Sequence, residues 1–397
     1  MSDHTPDETI GQRVARARKR RALTQHGLAE RTHYARSTIA QIEQGHRIAA
    51  PAFIAAAAAA LGVDPADLYG QPFRGDTPQR DAVHAAIPDL RRALTFVEVP
   101  PDLDRPLRPL EDIDRDVAEC QRLRRAARHT QLGAHLPSLM EELIAHAHHD
   151  STPHVWRQLW HVYEGAGELT RRLGYNDLAA HVLERSAATA GLAGDPHVPA
   201  MVARRRALLM ANMAAFKPAL TLLRNSIRDV DPDSAGAQEA SGALHLRAAI
   251  TAARAGDASA AWDHYEQAAD IRHRAGRDMD AYGTNFVVGN VGVHGAAVAV
   301  ELGDLEEAVR RDALITTSVL ARLSPERQAH HGVDMARVHL DLGNLPAALD
   351  RITKAERTAP QMTRFHPAAK AMVQRLVDLR REIPEPLRGL MRRMSLT

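Results

Sequence analysis

Between residues 9 and 70 the apolar positions recur at helical spacing in five short runs. Ile10, Val14 and Ala17 stand at i, i+4 and i+7 and predict a first helix over about Thr9–Arg21. Thr24 is placed to cap a second helix ending near Arg31. After a turn at residues 32–34, a third runs over about Ala35–Gln44, with Ile39 and Ile42 inward and Gly45 as its stop. Pro51 opens a fourth helix to Leu61, and Asp64 caps a fifth over Pro65–Tyr69. From Gln71 to Pro109 the periodicity gives way to seven prolines, interrupted by one helical stretch over about Asp81–Phe96.

Beyond residue 110 the pattern repeats on a larger scale. Leu132-Gly133, Leu173-Gly174, Ala255-Gly256, Leu302-Gly303 and Leu342-Gly343 each lie between two helical runs, and Ala214 takes the same place in a sixth unit. The intervals along positions 133, 174, 214, 256, 303 and 343 are 41, 40, 42, 47 and 40 residues. Five residues after each comes a small side chain: Ser138, Ala179, Ala219, Ala261, Ala308, Ala348. A turn residue followed at fixed distance by a small helix–helix contact, at this period, predicts helical hairpins stacked into an α-solenoid. The expected fold class is all-α. The expected divisions are a flexible terminus 1–8, a compact head 9–70, a Pro-rich linker with one helix 71–110, and a helical-repeat domain 111–397.

Composition narrows the picture. A chain of 397 residues exceeds one ordinary core. Its 4% aromatic content, against 45% hydrophobic with abundant alanine, suits closely packed helices. The net charge is only +2, so any nucleic-acid contact must be local. From Thr9 to Arg47 nine basic side chains face two acidic ones, Glu30 and Glu43. The single cysteine, Cys120, excludes an internal disulfide framework and a cysteine-based zinc cluster. No segment reads as a signal peptide, and the longest apolar stretch, Ile48–Val63, falls short of the roughly 20 residues a membrane span needs. The expected location is the cytoplasm.

The third helix carries the most specific chemistry. Arg36, Ser37, Thr38, Gln41 and Gln44, with Arg47 just beyond, offer groups suited to base edges and phosphates. Arginine pairs with guanine and glutamine with adenine in the major groove, while neutralised phosphates supply much of the affinity. The run Leu23-Thr24-Gln25, Leu28-Ala29-Glu30, Ser37-Thr38-Ile39, Ile42-Glu43-Gln44-Gly45 and the close Ala60-Leu61-Gly62-Val63 with Asp67-Leu68 resemble the XRE (phage repressor and Cro) helix-turn-helix family. The resemblance implies that Gln25 touches a phosphate, that Arg36, Ser37 and Gln41 face bases, and that Arg18 pairs with Glu43. Three positions depart from the family pattern. His33 stands where glycine is usual at the turn, Ala35 replaces a serine cap, and Gly27 interrupts the second helix.

The repeats resemble the tetratricopeptide (TPR) class with a longer period. With Tyr282–Asn285, Ala299–Asp304, Ala355–Pro360 and Arg364–Pro367, the chain as a whole resembles actinobacterial XRE regulators that carry a TPR-like C-terminal half. The concave face of such a solenoid is lined by the first helix of each hairpin. Asn212, Asn285, Asn290 and His294 are therefore the candidate effector groove, for a peptide or small molecule. His146, His148, His149 and the pair His330-His331 lack metal-ligand spacing, and no nucleophile or phosphate-loop motif is present, so no enzyme activity, metal or cofactor is expected. The basic runs Arg124-Arg125 and Arg204–Arg206 read as solvated helix faces. The expected function is a DNA-binding transcriptional regulator, forming a homodimer on double-stranded DNA. The alternative is an adaptor whose solenoid recruits a partner protein.

Overall fold

The computed structural model describes residues 8–73, 81–394 and 396. The expectation of a flexible terminus at residues 1–8 lies outside them, save for Glu8. The described residues form 22 α-helices. Their only β-bridge is an isolated antiparallel one, Met279 with Phe286.

The head consists of α1 (Ile10–Arg20), α2 (Gln25–Thr32), α3 (Arg36–Glu43), α4 (Pro51–Leu61) and α5 (Pro65–Tyr69). Thr9 begins α1 with a capping box shared with Gln12, and the side chains of Thr24 and Asp64 cap α2 and α5. Val14, Leu28, Ile39, Phe53, Ile54 and Leu61 fill one core and are almost wholly buried. His33 ends α2 at φ 58°, the left-handed geometry that glycine would take more easily. Tyr34 next to it packs edge-on against Phe53, with ring centroids 5.2 Å apart, which holds the strained turn in place. Ala35 opens α3 without a side-chain cap.

Six helical hairpins follow: α7 (Leu110–Arg125) with α8 (His129–His149), α9 (Pro153–Arg172) with α10 (Asn176–Thr189), α11 (Val198–Asn212) with α12 (Phe216–Arg228), α13 (Ala237–Arg254) with α14 (Ala258–Ala275), α15 (Val288–Leu302) with α16 (Leu305–Ala313), and α18 (Pro325–Asp341) with α19 (Leu345–Thr358). The four-residue α17 (Thr317–Leu320) lies between the last two pairs. Each hairpin reverses at one residue of positive φ: Ala127, Gly174, Ala214, Gly256, Gly303 and Gly343, at 52°, 88°, 60°, 79°, 80° and 75°. The small residues Ala179, Ala219, Ala261, Ala308 and Ala348 are at most 1% exposed, as close helix pairing requires.

The first repeat corrects the sequence reading. Gly133 lies inside α8 and is not a turn; a Cβ there would come within 3.2 Å of the Cβ of Ala86. Its glycine permits close packing against the preceding segment, and the true reversal is Ala127, which no glycine marks. Ser138, taken as that repeat's contact residue, is exposed.

The stretch read as a single linker helix is a 3-10 turn (Ala82–His84) followed by α6 (Ile87–Ala93). Val83, Ile87, Leu90 and Leu94 join Ile113, Leu123 and Leu136 in one core, so this segment forms the first layer of the solenoid. Cys120 is buried in the same core, and burial pushes its thiol up to about 12. At the other end, α20 (Pro360–Arg364), α21 (Pro367–Asp378) and α22 (Glu385–Met394) cover the last hairpin. Among the described residues no helix is long and apolar enough to cross a membrane.

The head rests on the solenoid along α4, which packs against α11, and is fastened on two sides. Ile48 enters the C-terminal core with Val333, Ile352 and Met372. On the other side Asn176 donates to the Asp64 carboxylate at 2.9 Å, and Gln71 donates to the Arg172 carbonyl at 2.9 Å.

The loop between α14 and α15 is pinned from below. Phe286 is fully buried against Gly242 of α13, and Glu239 accepts from the backbone N–H groups of Ala281 and Tyr282 and from the Thr284 hydroxyl. A Cβ at position 242 would lie 2.1 Å from the Phe286 ring. Gly242→Ala should therefore destabilise the chain by about 1–3 kcal/mol through overpacking, read as a lower denaturation midpoint in urea.

Candidate nucleic-acid interface and effector cavity

Helix α3 is held by one carboxylate. Arg18 of α1 donates from Nε and Nη2 to the two oxygens of Glu43 at 2.6 and 2.8 Å, and from Nη1 to the Leu23 carbonyl at 2.7 Å. The pair expected from the sequence is present and largely buried, with side chains 10% and 6% exposed. Burial alone would raise the Glu43 pKa, but hydrogen bonds from Arg18 and Gln25 hold it below its ordinary value. The approach of α1 to α3 is close: a Cβ on Gly11 would meet the Ile42 carbonyl oxygen at 2.0 Å.

Ile39 and Ile42 are buried, which turns the rest of α3 outward. Arg36, Ser37, Gln41 and Gln44, with Arg47 beyond, are exposed, and Thr38 is half-buried. Gln25 is placed differently from the other candidates. Its side-chain amide donates to Glu43 at 2.9 Å, so it belongs to the brace behind α3 in this DNA-free chain. The basic excess also divides. Arg21 donates to the carbonyls of Leu61 and Gly62 at 2.6 and 3.2 Å, closing the C-terminal end of α4, and Arg13 donates to the Tyr69 carbonyl at 3.3 Å. Lys19, Arg20, Arg31, Arg36 and Arg47 are the exposed remainder.

Behind the head, on the concave side of the solenoid, lies a cavity of about 770 Å³. The head closes part of it with Pro51, Ile54, Pro65 and Tyr69. Of the four groove candidates, Asn212, Asn285 and His294 line this cavity. Asn212 ends α11 and accepts from Arg254 at 3.0 Å. Asn285 is not on a helix, as was expected; it sits in the loop before α15 at φ 53°, and its buried amide nitrogen has no partner. Asn290 is 1% exposed, lies outside the lining, and donates to the Thr284 carbonyl at 3.4 Å. His294 bonds through Nδ1 to the Asn290 carbonyl at 2.8 Å, which fixes the proton on that nitrogen. Burial, then the charges of Arg327, Arg247 and Arg204, hold its pKa well below the ordinary 6.5.

The basic runs are solvated only in part. Arg125 and Arg206 are exposed, but Arg124 and Arg204 turn into the cavity wall with Arg205, and Arg204 is 8% exposed. Eleven arginines and five carboxylates line the space. Glu168 takes Arg124 and Arg205 at 3.2 Å and Arg172 at 3.5 Å, and Arg254 pairs with Glu301 at 2.9 Å. Among the described residues Arg171, Arg204, Arg247 and Arg327 have no side-chain hydrogen bond or ion pair. Burial, reinforced by neighbouring arginine charge, lowers the pKa of Arg171 and of Arg204 to about 9. Burial and neighbouring arginine charge also hold Arg247 well below its ordinary value, and burial lowers Arg327 against the opposing charges of Glu168 and Asp334. Sequence reading placed none of these four in a cavity. Two of them carried a signal in their phase: Arg204 and Arg247 stand ten and nine residues before the turn residues Ala214 and Gly256, as His294 stands nine before Gly303, whereas Arg171 and Arg327 do not share that phase.

Residues 9–68 match the helix-turn-helix domain family. No curated protein sequence matches the chain. Two solved structures are similar at low level. One is BtubC (BKLC) from P. vanneervenii, at 15% identity and a TM-score of 0.38, over 63% of this chain and 92% of that one. The other is Bacillus thuringiensis PlcR, in complex with the peptide PapR7 and DNA, at 14% identity and a TM-score of 0.33, over 92% of this chain and 99% of that one. Likeness at these scores says nothing about ligand or partner.

The Arg18–Glu43 brace makes a pH-dependent prediction. Because the folded Glu43 pKa lies below its ordinary 4.5, the brace is complete above pH 4.5 and is lost as pH falls through the lower folded value. Amide-exchange protection of α1 and α3 should drop over that acid range in the wild type. In Glu43→Gln, which strands a buried Arg18 at a cost of about 3 kcal/mol, protection should already be low at neutral pH and show no such acid step.

Proposed function

We propose that the protein is a sequence-specific DNA-binding transcriptional regulator whose helical-repeat domain takes an effector in the cavity behind the head. The observation that carries this reading is the outward face of α3: Arg36, Ser37, Gln41 and Gln44 exposed on a helix braced from behind, within a segment that matches the helix-turn-helix domain. In this reading α3 enters the major groove, Arg36, Ser37 and Gln41 meet base edges, and Arg31 and Arg47 meet phosphates. The function is binding rather than catalysis, and its place is the cytoplasm.

We also propose that the chain acts as a homodimer. An α3 of eight residues spans one half-site, and two heads about 34–36 Å apart would read a palindrome one helical turn long. An effector, peptide or small molecule, touching both the inner helices and α4–α5 would change how each head sits on its solenoid and so favour one head spacing over another.

Genome-wide mapping of bound DNA supplies the site on which this is tested. On that site Arg36→Ala with Gln41→Ala should bind at least about tenfold more weakly than wild type, with unchanged helical content. Arg31→Gln should weaken binding to all sequences alike and flatten the salt dependence by about one unit of slope. Regulation that survived the double variant would favour the solenoid as a recruiter of partner proteins instead.

A further inference from the structure

The cavity concentrates positive charge that the chain itself does not neutralise. Its carboxylates are mostly committed: Glu168 and Glu326 to Arg172, Glu301 to Arg254, and Asp280 to Arg125. The fifth, Asp334, lies 3.9 Å from His330. Against this, Arg204, Arg247 and Arg327 come from α11, α13 and α18, three separate hairpins, and line one cavity; Glu164 acts on Arg204 and Glu168 and Asp334 on Arg327 from a distance, but none of the three arginines makes an ion pair or a side-chain hydrogen bond among the described residues. The Nε atoms of Arg204 and Arg247 are buried and lack any hydrogen-bond partner. Each of the three feels the positive charge of at least one other arginine, so they form a cluster and not scattered cations. Guanidiniums drawn largely out of water without an ion pair are costly to fold around, and a ligand that supplies negative charge relieves that cost.

We propose that this cluster binds a small ligand bearing a compact polyanionic group of phosphoryl chemistry, such as a diphosphate. Charge concentrated on three forked donors fits the several oxygens of a phosphoryl group, which take bidentate guanidinium bonds. A carboxylate-bearing peptide would spread its charge along a chain. Arg171, from α9, adds a further guanidinium to the wall. The lining also includes the apolar side chains Ile54, Met362, Phe365 and Pro367, which receive the uncharged remainder of the ligand. This inference takes the effector cavity of the proposed function and names its ligand class, but its binding step requires no DNA.

The test uses the full-length protein and sodium pyrophosphate at constant ionic strength, followed by calorimetry and thermal unfolding. Wild type should bind saturably, with the unfolding midpoint raised by about 2 °C or more near saturation. Arg204→Gln and Arg327→Gln, on different hairpins, should each weaken binding at least tenfold. Both should also raise the midpoint of the ligand-free protein, because the cost of burying a guanidinium without an ion pair is removed; this separates a lost site from a damaged fold. Absence of a saturable response in wild type, or an undiminished response in both variants, overturns the proposal. Tricarballylate binding as tightly as pyrophosphate overturns the phosphoryl assignment and points to carboxylates. Pyrophosphate binding by a chain that recognises no DNA would sink the regulator reading and leave this one standing.

Discussion

A helical hairpin hides its apolar face only against the next hairpin, and everything else in the solenoid depends on that stacking. Stacking requires each pair to reverse tightly and at the same phase. A single left-handed residue does this six times, four times as glycine and twice as alanine. The buried alanines five residues after the turns then let the two helices of five of the pairs close on each other. With the pairs in phase, the first helices of successive hairpins share the concave side. Side chains far apart in sequence, such as Arg171 and Arg327, thereby line one cavity.

Much of this architecture is legible in the sequence because its rules are local. The five helices of the head follow from caps at Thr24 and Asp64 and from the spacing of Ile10, Val14, Ile39 and Ile42. The later repeats follow from Gly174, Gly256, Gly303 and Gly343. The first repeat was misphased because its turn residue is Ala127, and alanine carries no signal of left-handed backbone, whereas Gly133 carries a false one. The outward side chains of α3 could be named because two buried isoleucines fix the helix's rotation. Gln25 was harder, since its choice between a phosphate and the Glu43 carboxylate is made by tertiary geometry.

The cavity chemistry was the least legible. An arginine on a helix looks the same whether it faces water or a closed space, and adjacent arginines ordinarily mean a solvated face. Whether Arg204 is paired depends on which carboxylates the neighbouring hairpins have already used. Glu164 and Glu168 are taken by Arg205, its sequence neighbour, at 2.7 and 3.2 Å. No local pattern announces that competition.

The placement of those arginines also has a mechanical side. Arg204, Arg247 and Arg327 belong to different hairpins, so their mutual repulsion pushes the stack open while apolar packing draws it shut. Charge and packing therefore oppose each other across the concave face. The head spans that face, fastened to the second hairpin through Asn176 and Gln71 and to the C-terminal core through Ile48. The hairpins whose spacing the arginine charge opposes are thus bridged from outside by the segment that carries α3.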